Sequence, residues 1–448
     1  MTPLFNLITH PWIPTAAGLR SLDTLRPTDI LQCSSPLEHT TLIRFLISLH
    51  GHAGNDLSHY LAAHHAGFAL FDSVRPFLQT PLSVTRTLRL QPITVIQLPR
   101  MTGSGHTLYG VGHEPDQDDS PRPLTPDEAA RTLITFQNAA LSNGKSAWAH
   151  TLDAPLARNA CFLAEGVSLA DTLDLNLPLN LPTTRPIWEQ RPNWSVWQAG
   201  QRQPLTAWSA LCFSWFTITL DPDLQHVRFA GGPLPQQSEE RDPHVFTLLK
   251  DPFKPFDEKN PLTTLKNPFD LCSETLLVHA LGAALDRSVA DSYLPVGLQR
   301  ARLRGAQRVR VMVTASRPGQ PVLLDTLECS LPWPKHTQLP VRALLLRAQG
   351  VAEQLRTAGV RLYAPLVGGK KARDLGVTLN LIRTYWQTLW PDLSSVLAGD
   401  GDPDELTTSQ LHQHAQTILQ NATEQILGQD EAFQSGIRLA YHVMKPFI

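Results

Sequence analysis

The chain has 448 residues, enough for roughly two or three domains with sizeable hydrophobic cores. Its 38 lysines and arginines nearly balance 40 aspartates and glutamates, and the formal net charge is -2. Binding to a polyanion must therefore come from local patches. No apolar run is long enough to span a membrane, and the N-terminus lacks a signal peptide's basic and then apolar order, so we expect a cytoplasmic protein.

The five cysteines are scattered singly through the sequence, and none belongs to a CxxC pair. This spacing predicts neither a zinc site nor a disulfide framework, which suits a reducing cytoplasm. The chain is also rich in proline, with 37 residues, yet 42% of its residues are hydrophobic. We therefore expect a folded, loop-rich body rather than a disordered chain.

The first part of the chain predicts a strand, a helix and a turn. Residues 5–14, FNLITHPWIP, alternate in polarity and predict a strand with a small hairpin anchored by Trp12. Residues 36–50 have apolar spacings of three and four, as a buried amphipathic helix does. Residues 68–80 predict a helix end that runs into a tight turn at Arg75-Pro76.

A long glycine-rich and then acidic stretch follows at residues 102–120, and loops of this length are usually functional or disordered. Thr125-Pro126-Asp127-Glu128 is a capping box that predicts a helix through about Leu141. The polar residues 142–146, SNGKS, then predict a loop in which Gly144 provides a left-handed cap.

The same loop contains a rival motif. Ala139 to Ser146, AALSNGKS, fits a relaxed phosphate-binding loop and raises the alternative of a nucleotide hydrolase. A true phosphate-binding loop leaves a strand and opens a helix, whereas here a capped helix is predicted to enter the loop. The remaining chemistry is that of backbone amides and Lys145, which suit a phosphate or a groove.

Residues 183–235 are rich in tryptophan and predict strands, with a turn at Gly231-Gly232-Pro233. Such tryptophans either stack on bases or fill the core, and the core is the commoner role. Residues 242–266 form a basic, proline-interrupted segment that contains Lys250 and Lys254. Helical spacing returns at residues 270–289.

Residues 308–331 predict a β-hairpin with a stiff tip. Val309, Val311 and Val313 alternate with Arg308, Arg310 and Met312, which is the pattern of a half-buried strand, and a second apolar run begins at Val322. Between the strands, residues 317–320 (RPGQ) predict a turn. A two-residue type II turn would splay the strands, so we expect a longer loop or a bulge that carries Gln320 outward.

Positive charge is concentrated just before and within this hairpin. Six arginines fall within eighteen residues without an intervening acid: Arg300, Arg302, Arg304, Arg308, Arg310 and Arg317. This density predicts contact with the phosphate backbone of a polyanion, for which the candidates are Arg300, Arg302, Arg304 and Arg317. The alternative is an ordinary solvated strand edge.

From residue 339 onward the sequence has the spacing of long amphipathic helices. We predict helices at 340–363, 371–390, 405–427 and 431–445, with breaks that include Gly368-Gly369. Short connections between such helices predict an antiparallel four-helix bundle.

A search for catalytic patterns favours a binding and scaffolding protein over an enzyme. No histidine precedes an aspartate, and neither HExxH nor GxSxG occurs. His64-His65 and His412-x-His414 lack partners at metal-ligand spacing. We therefore predict no catalytic residue, no metal site and no cofactor.

In this order, the motifs resemble those of the CasA family, the large subunit of the type I-E CRISPR effector complex Cascade. They are FNLITHPWIP, Arg75-Pro76-Phe77-Leu78-Gln79, LTPDEAARTLITFQ, the hairpin with Gly319-Gln320 and the terminal helices. The resemblance implies an α+β fold, with a mixed, loop-rich N-terminal domain (1–335) and a C-terminal antiparallel four-helix bundle (336–448). It implies, as partners, guide RNA, other Cascade subunits and double-stranded target DNA.

The resemblance also implies roles for individual residues. Family members read a short flanking motif beside the DNA target from the minor groove, and a wedge starts strand separation. By position, Gln320 resembles the wedge, with Pro318 and Gly319 at its tip. Asn143, Gly144 and Lys145 resemble the family's glycine loop, although Asn143 and Lys145 depart from its run of glycines. Either Lys250 or Lys254 resembles the minor-groove lysine.

The loop at 102–120 resembles the one that contacts the guide RNA and a backbone subunit, through Leu108, Tyr109 and His113. The cysteine-based zinc site of some members is absent. The chain is short for the family, which leaves the cleavage of the target open. Either a helicase-nuclease is recruited, or a variant complex carries a nuclease fused to another subunit, or no cleavage occurs.

Overall fold

The structure is a computed structural model. The residues that it describes are 5–96, 123–140, 154–157, 160–179, 184–203, 210–232, 234–235, 252–253, 296–316, 323–332, 339–367, 371–372, 375–376, 379–398, 401–425 and 431–444.

The helices are α1 (Pro36–Ala53), α2 (Leu57–Ala63), α3 (Leu82–Thr85), α4 (Pro126–Ala139), α5 (Leu169–Leu175), α6 (Trp194–Gln198), α7 (Gln299–Leu303), α8 (Leu339–Val367), α9 (Leu381–Ala398), α10 (Thr408–Gln425) and α11 (Glu431–Val443). Short 3-10 helices lie at His65–Phe68, Ile93–Ile96 and Val296–Leu298.

The strands are β1 (Ile13–Thr15), β2 (Gly18–Arg20), β3 (Gln91–Pro92), β4 (Ala160–Glu165), β5 (Arg202–Gln203), β6 (Thr217–Leu220), β7 (His226–Ala230), β8 (Leu234–Pro235), β9 (Arg308–Ser316) and β10 (Leu323–Pro332). They form small sheets in the orders β1-β2, β10-β9-β4, β3-β7-β6 and β5-β8. Helices and mostly antiparallel sheets are thus combined, and the α+β fold class is confirmed.

The predicted hairpin at 308–331 is confirmed. Strands β9 and β10 pair antiparallel, from Arg308 opposite Pro332 at the base to Ser316 opposite Leu323 at the far end. The register shifts between Leu323 and Asp325, which is an irregularity of the bulge type at the start of β10. Whether the turn is a longer loop or a bulge that carries Gln320 outward stays a prediction. Residues 317–322, which connect the strands, lie outside the described residues.

The sheet of β4, β9 and β10 separates two hydrophobic cores. Cys161 and Leu163 of β4 lie in the first core, whereas Phe162 and Ala164 lie in the second. Val309 and Val311 of β9 also belong to the second core, but Met312 is buried in the first. The prediction of a half-buried strand is therefore wrong at Met312, because a second layer of packing covers that face.

The first core is built around α1 and confirms the buried helix predicted there. The Phe45 ring lies 5.8 Å from Trp12, 5.7 Å from Phe77, 5.3 Å from Trp188 and 5.6 Å from Phe213, each roughly edge-on. Edge-to-face pairs add to the free energy gained by burial. The core interpretation of the tryptophans is also confirmed for three of them, Trp188, Trp197 and Trp215, which are all buried.

The N-terminal segment is partly as predicted. The small hairpin is β1-β2, and buried Trp12 donates its indole N–H to the Leu7 carbonyl at 2.9 Å. The residues before it form turns instead of a strand, because their backbone groups bond locally, as from His10 N–H to Asn6 O at 2.8 Å. The capping box at Thr125 is present, but α4 ends at Ala139, where the next residue is already extended.

The C-terminal helices form the predicted bundle, in which α8 packs against α9, α10 and α11. Helices α8 and α9 run antiparallel, since Tyr385 bonds to the Ala348 carbonyl while Leu381 faces Gly359. The second helix was predicted at 371–390 but runs from Leu381 to Ala398.

The altered bounds of α9 have a different cause at each end. Asn380 has a positive φ of 52°, which interrupts the helix before Leu381. At the other end the helix continues through Pro391, which lacks an N–H. Leu389 and Leu393, on either side of the proline, are fully buried, and their packing outweighs its cost.

Among the described residues, no helix combines the length and apolar character needed to cross a bilayer.

Substitution of Gly436 by alanine is expected to destabilise the bundle. A Cβ at Gly436 of α11 would overlap the backbone carbonyl of Leu362 on α8, which cannot rotate away. We expect Gly436→Ala to lower the free energy of unfolding by about 1–3 kcal/mol in urea denaturation. Gly350→Ala is the control, because a Cβ there meets nothing within 4 Å, and it should stabilise α8 by about 0.5–1 kcal/mol. Equal effects of the two would contradict the close approach of α8 and α11.

Candidate nucleic-acid interface

Most of the residues predicted to contact nucleic acid lie outside the described residues. They are Gln320, Gly319, Pro318 and Arg317 of the hairpin connection; Asn143, Gly144 and Lys145; Lys250 and Lys254; and Leu108, Tyr109 and His113. The structure does describe where the chain enters and leaves these segments, and it describes Arg300, Arg302 and Arg304.

A buried arginine lies at the base of two of these segments. Arg44 of α1 is fully buried, and its Nε donates to Asn138 Oδ1 at 3.0 Å. Its guanidinium carbon lies 5.5 Å from the centre of the Phe253 ring, within the range of a cation–π contact. Asn138 precedes Asn143 by five residues, and Phe253 directly precedes Lys254. Arg44 therefore connects the end of α4 to the chain beside both lysines.

The Pro252-Phe253 segment is also bonded to the central sheet. The Phe253 carbonyl accepts from Phe162 N–H of β4 at 2.9 Å, and the Pro252 carbonyl accepts from Gly297 N–H at 2.7 Å. A side chain at Gly297 would overlap the Phe253 ring, so this approach requires glycine. Since β4 pairs with β9, the chain beside both lysines is tied to the hairpin through one hydrogen-bonded network.

The arginine run lies at the base of the hairpin, and Asp174 of α5 is shared by two of its members. Asp174 Oδ1 lies 3.3 Å from Arg300 Nη1, and Oδ2 pairs with Arg304. Arg302 is exposed between them. The run without acids in the sequence therefore receives an acid from a distant element in the fold.

Glu165, at the end of β4, is shared in the same way. Its Oε1 lies 2.7 Å from Arg310 Nη2, and its Oε2 lies 3.6 Å from Arg308 Nε. Arg308 also donates to the Ser330 carbonyl at 3.1 Å, and Arg310 contacts His39 at 3.2 Å. These contacts hold β4, β9 and β10 together at the base of the sheet.

The two carboxylates reduce the charge of the surface without cancelling it. Arg300, Arg304 and Asp174 together carry one net positive charge. Arg308, Arg310 and Glu165 carry another. Arg302 is also exposed on this surface, and the exposed Leu303 lies beside it. The surface therefore keeps a positive field that favours phosphate, weaker than the sequence alone predicted.

The described members of the arginine run lie at the base of the hairpin. Arg308 is at the base and Ser316 at the far end of β9. At about 3.3 Å per residue, these two residues are roughly 26 Å apart. The arginines at the base are thus about one strand length from the residue at which the connection 317–322 begins.

His50 of α1 lies within reach of the same charges. Burial and the nearby guanidinium of Arg300 lower the pKa of His50. The side chain is therefore neutral at neutral pH, and it adds no positive charge of its own to the arginine surface.

A cavity of about 630 Å³ opens beside Arg310, between residues 28–36 and the β4–α5 connection. Its lining includes His39 and Glu165, which already contact Arg310. Two exposed apolar side chains also line it, Ile30 (71% exposed) and Val167 (100% exposed). Its charged groups are engaged with each other, so the cavity is not an open anion site. Among the described residues, no three histidine, cysteine or acidic side chains are placed to hold a metal ion.

The order of elements counts against the rival phosphate-binding loop at Ala139–Ser146. The chain enters this segment from helix α4, and the next strand in the described part of the chain is β4. A phosphate-binding loop needs the reverse order, a strand before it and a helix N-terminus after it, so that N–H groups converge on the phosphates. Among the described residues, the segment is entered from a helix and not from a strand, which counts against the rival hypothesis.

The family model for CRISPR-associated protein Cse1 matches residues 6–426, nearly the whole chain. The chain belongs to the Cse1 family. The CasA/Cse1 protein of Thermus thermophilus is 29% identical over 283 residues, which are 55% of this chain and 55% of that relative. The sequence match thus spans about half the length of the relative.

Solved structures share the fold over the full length. The crystal structure of Thermus thermophilus CasA aligns over 98% of both chains, with a TM-score of 0.69 at 21% identity. Thermobifida fusca Cse1 aligns over 99% of this chain and 97% of its own, with a TM-score of 0.57 at 18% identity. A chain of a CRISPR RNA-guided surveillance complex aligns over 99% of both, with a TM-score of 0.66 at 16% identity. The Cse1 fold is therefore shared.

Sequence reasoning missed three residues of the candidate interface: the buried Arg44 beneath the predicted loops, and Asp174 and Glu165 beside the arginine run. An arginine inside the apolar face of α1 is an available signal, because a buried cation needs partners. The acids have no such signal, since Asp174 and Arg300 are separated by 126 residues and Glu165 and Arg310 by 145.

Removal of the Arg44 guanidinium is expected to loosen the base of the predicted reading loops. Arg44→Met leaves the buried Asn138 carbonyl without this donor and removes the contact with Phe253. We expect a loss of about 1–3 kcal/mol in the free energy of unfolding, measured by urea denaturation. Arg356→Met is the matched control, since Arg356 pairs with the exposed Glu353, and it should change stability by less than about 0.5 kcal/mol. A similar loss in both variants would rule out a special role for Arg44.

Proposed function

We propose that this Cse1-family chain is the large subunit of a type I-E CRISPR surveillance complex. In this role it reads the flanking motif of a double-stranded DNA target and starts the strand separation that lets guide RNA pair. The observation that carries the proposal is the long hairpin β9-β10, which is clamped at its base between two cores. Chemistry on DNA is not part of the proposed role, because the chain acts by binding and positioning.

The hairpin suits a wedge for physical reasons. The last described pair is Ser316 opposite Leu323, and the six residues beyond it include Pro318 and Gly319. Proline restricts the backbone and glycine permits a close approach to a duplex, so the sequence predicts a stiff tip that presents Gln320. Opening a base step costs a few kcal/mol. Paired strands hold the tip in place while the bases unstack. Guide pairing then continues the exchange of strands.

The reading of the flanking motif is assigned to the other two loops. Asn143, Gly144 and Lys145 offer backbone amides and one cation, and Lys250 or Lys254 offers a second cation for the minor groove. Arg44 supports this assignment, because it fixes the chain next to both loops in one buried cluster.

Other contacts complete the proposed role. Arg300, Arg302, Arg304 and Arg317 contact DNA phosphates, and Leu108, Tyr109 and His113 contact guide RNA and a neighbouring subunit. The complex then either recruits a helicase-nuclease or carries a nuclease fused to another of its subunits.

The proposed function is tested by duplex binding with and without this chain. The partner RNA-guided complex is assembled in both forms and given matched targets whose flanking bases are randomised. We expect the bound fraction to be enriched in particular flanking bases only when the chain is present, as measured by sequencing. A mismatched guide serves as the control for guide-independent binding. Indifference of the complete complex to the flanking bases would contradict the proposal.

Replacement of the Gln320 side-chain amide tests whether strand opening can be separated from initial duplex binding. We expect Gln320→Ala to impair strand opening, read by permanganate footprinting, more than initial duplex binding, read by gel shift. The physical reason is that opening needs a side chain in the base stack, whereas contact depends on phosphates and the other loops. Gln307→Ala is the control, as a glutamine at the base of the hairpin. Equal losses in the two assays would exclude a specific wedging role for Gln320.

A further inference from the structure

We propose that Asp174 limits the affinity of the arginine surface for DNA phosphates, because it holds Arg300 and Arg304 in ion pairs that a phosphate must displace. The inference rests on the proposed DNA binding and adds to it a residue that sets the strength of the sequence-independent contact. Asp174 is thus a positioning residue.

The position of Asp174 is fixed by its neighbours in the chain. Leu175 is buried in the second core. Asn176 is fully buried, and its side chain bonds to both backbone groups of Ala164 at 2.8 Å. These contacts replace a neighbouring strand at the edge of β4. The backbone of Asp174 is therefore held beside the sheet, where its carboxylate pairs with both arginines.

The ion pairs are accessible enough to be exchanged. Side-chain exposure is 27% for Asp174, 27% for Arg300 and 53% for Arg304. Water screens charges at such positions, so a pair of this kind gains little net free energy. A guanidinium also carries five N–H donors, and a phosphate binds it through two of them. A DNA phosphate is therefore a direct competitor for the same groups, and the carboxylate raises the cost of that contact.

The surface acts apart from the reading of bases. Arg300 and Arg304 lie beside the base of the hairpin, and the length of β9 alone is roughly 26 Å. A phosphate contact at the base adds the same free energy whatever the flanking motif is. Asp174 thus reduces binding to all duplexes equally, and it leaves the discrimination to the loops and the wedge.

The test is the salt dependence of duplex binding by the full chain in its complex. We expect Asp174→Asn to bind several-fold more tightly at low salt, with a slope of log affinity against log salt that is steeper by about 0.9 for each phosphate gained. The gain should be the same for targets with preferred and disfavoured flanking bases. Asp174→Glu keeps the charge and should restore the wild-type slope.

Asp221→Asn is the matched control. Asp221 pairs with Arg228 at 3.5 Å with similar exposure, 30% and 19%, so this variant makes the same change of charge away from the arginine surface. A wild-type slope in this control shows that net charge alone is not the cause. Thermal denaturation of each variant confirms that it is folded.

The combined variant Arg300→Gln, Arg302→Gln and Arg304→Gln distinguishes failure of the arginine contact with DNA from failure of the role of Asp174. If it lowers the slope while Asp174→Asn leaves the slope at the wild-type value or reduces it, the DNA contact stands and the role of Asp174 is overturned. If the combined variant keeps the wild-type slope, the proposed contact of the arginines with DNA is itself overturned. A gain confined to one class of flanking bases would likewise contradict the inference for Asp174.

Discussion

The shared sheet β4-β9-β10 is the constraint on which the rest of the structure depends. Alternate residues of its strands enter different cores, so Phe162 packs with the helical bundle while Cys161 and Leu163 pack with the N-terminal body. A shift of one residue in the pairing would exchange these faces and disrupt both cores at once. Burial on two sides therefore fixes the register of the hairpin far more strongly than its turn does.

Ion pairs reinforce the same region of the structure. Glu165 and Asp174 lie on the chain segment that forms β4 and α5, and each is shared by two arginines of the segment that forms α7 and β9. The two segments are joined by charge at one edge and by backbone pairing along their length. The two carboxylates thus weaken the positive field of this surface without cancelling it.

Local chemistry explains what could be predicted from the sequence. The helix predicted at 36–50, the capping box at Thr125 and the paired strands of the hairpin follow from spacing, cap and turn residues within a few positions of each other. The extension of α9 through Pro391 could not, because it depends on tertiary packing that overrides proline. Nor could the acids of the arginine surface, whose partners are more than 120 residues away. The roles of Gln320, Lys145 and Lys250 remain predictions from the family resemblance.

The clamped base of the hairpin has a mechanical consequence. The strands β9 and β10 form a cantilever whose fixed end is shared by two bodies. A load on the tip produces a bending moment at Val309 and Val311, where the bundle is seated. Both the bundle and the N-terminal body therefore resist bending of the hairpin. The stiffness of the hairpin thus depends on helices that lie far from its tip. The bundle therefore helps to anchor the hairpin.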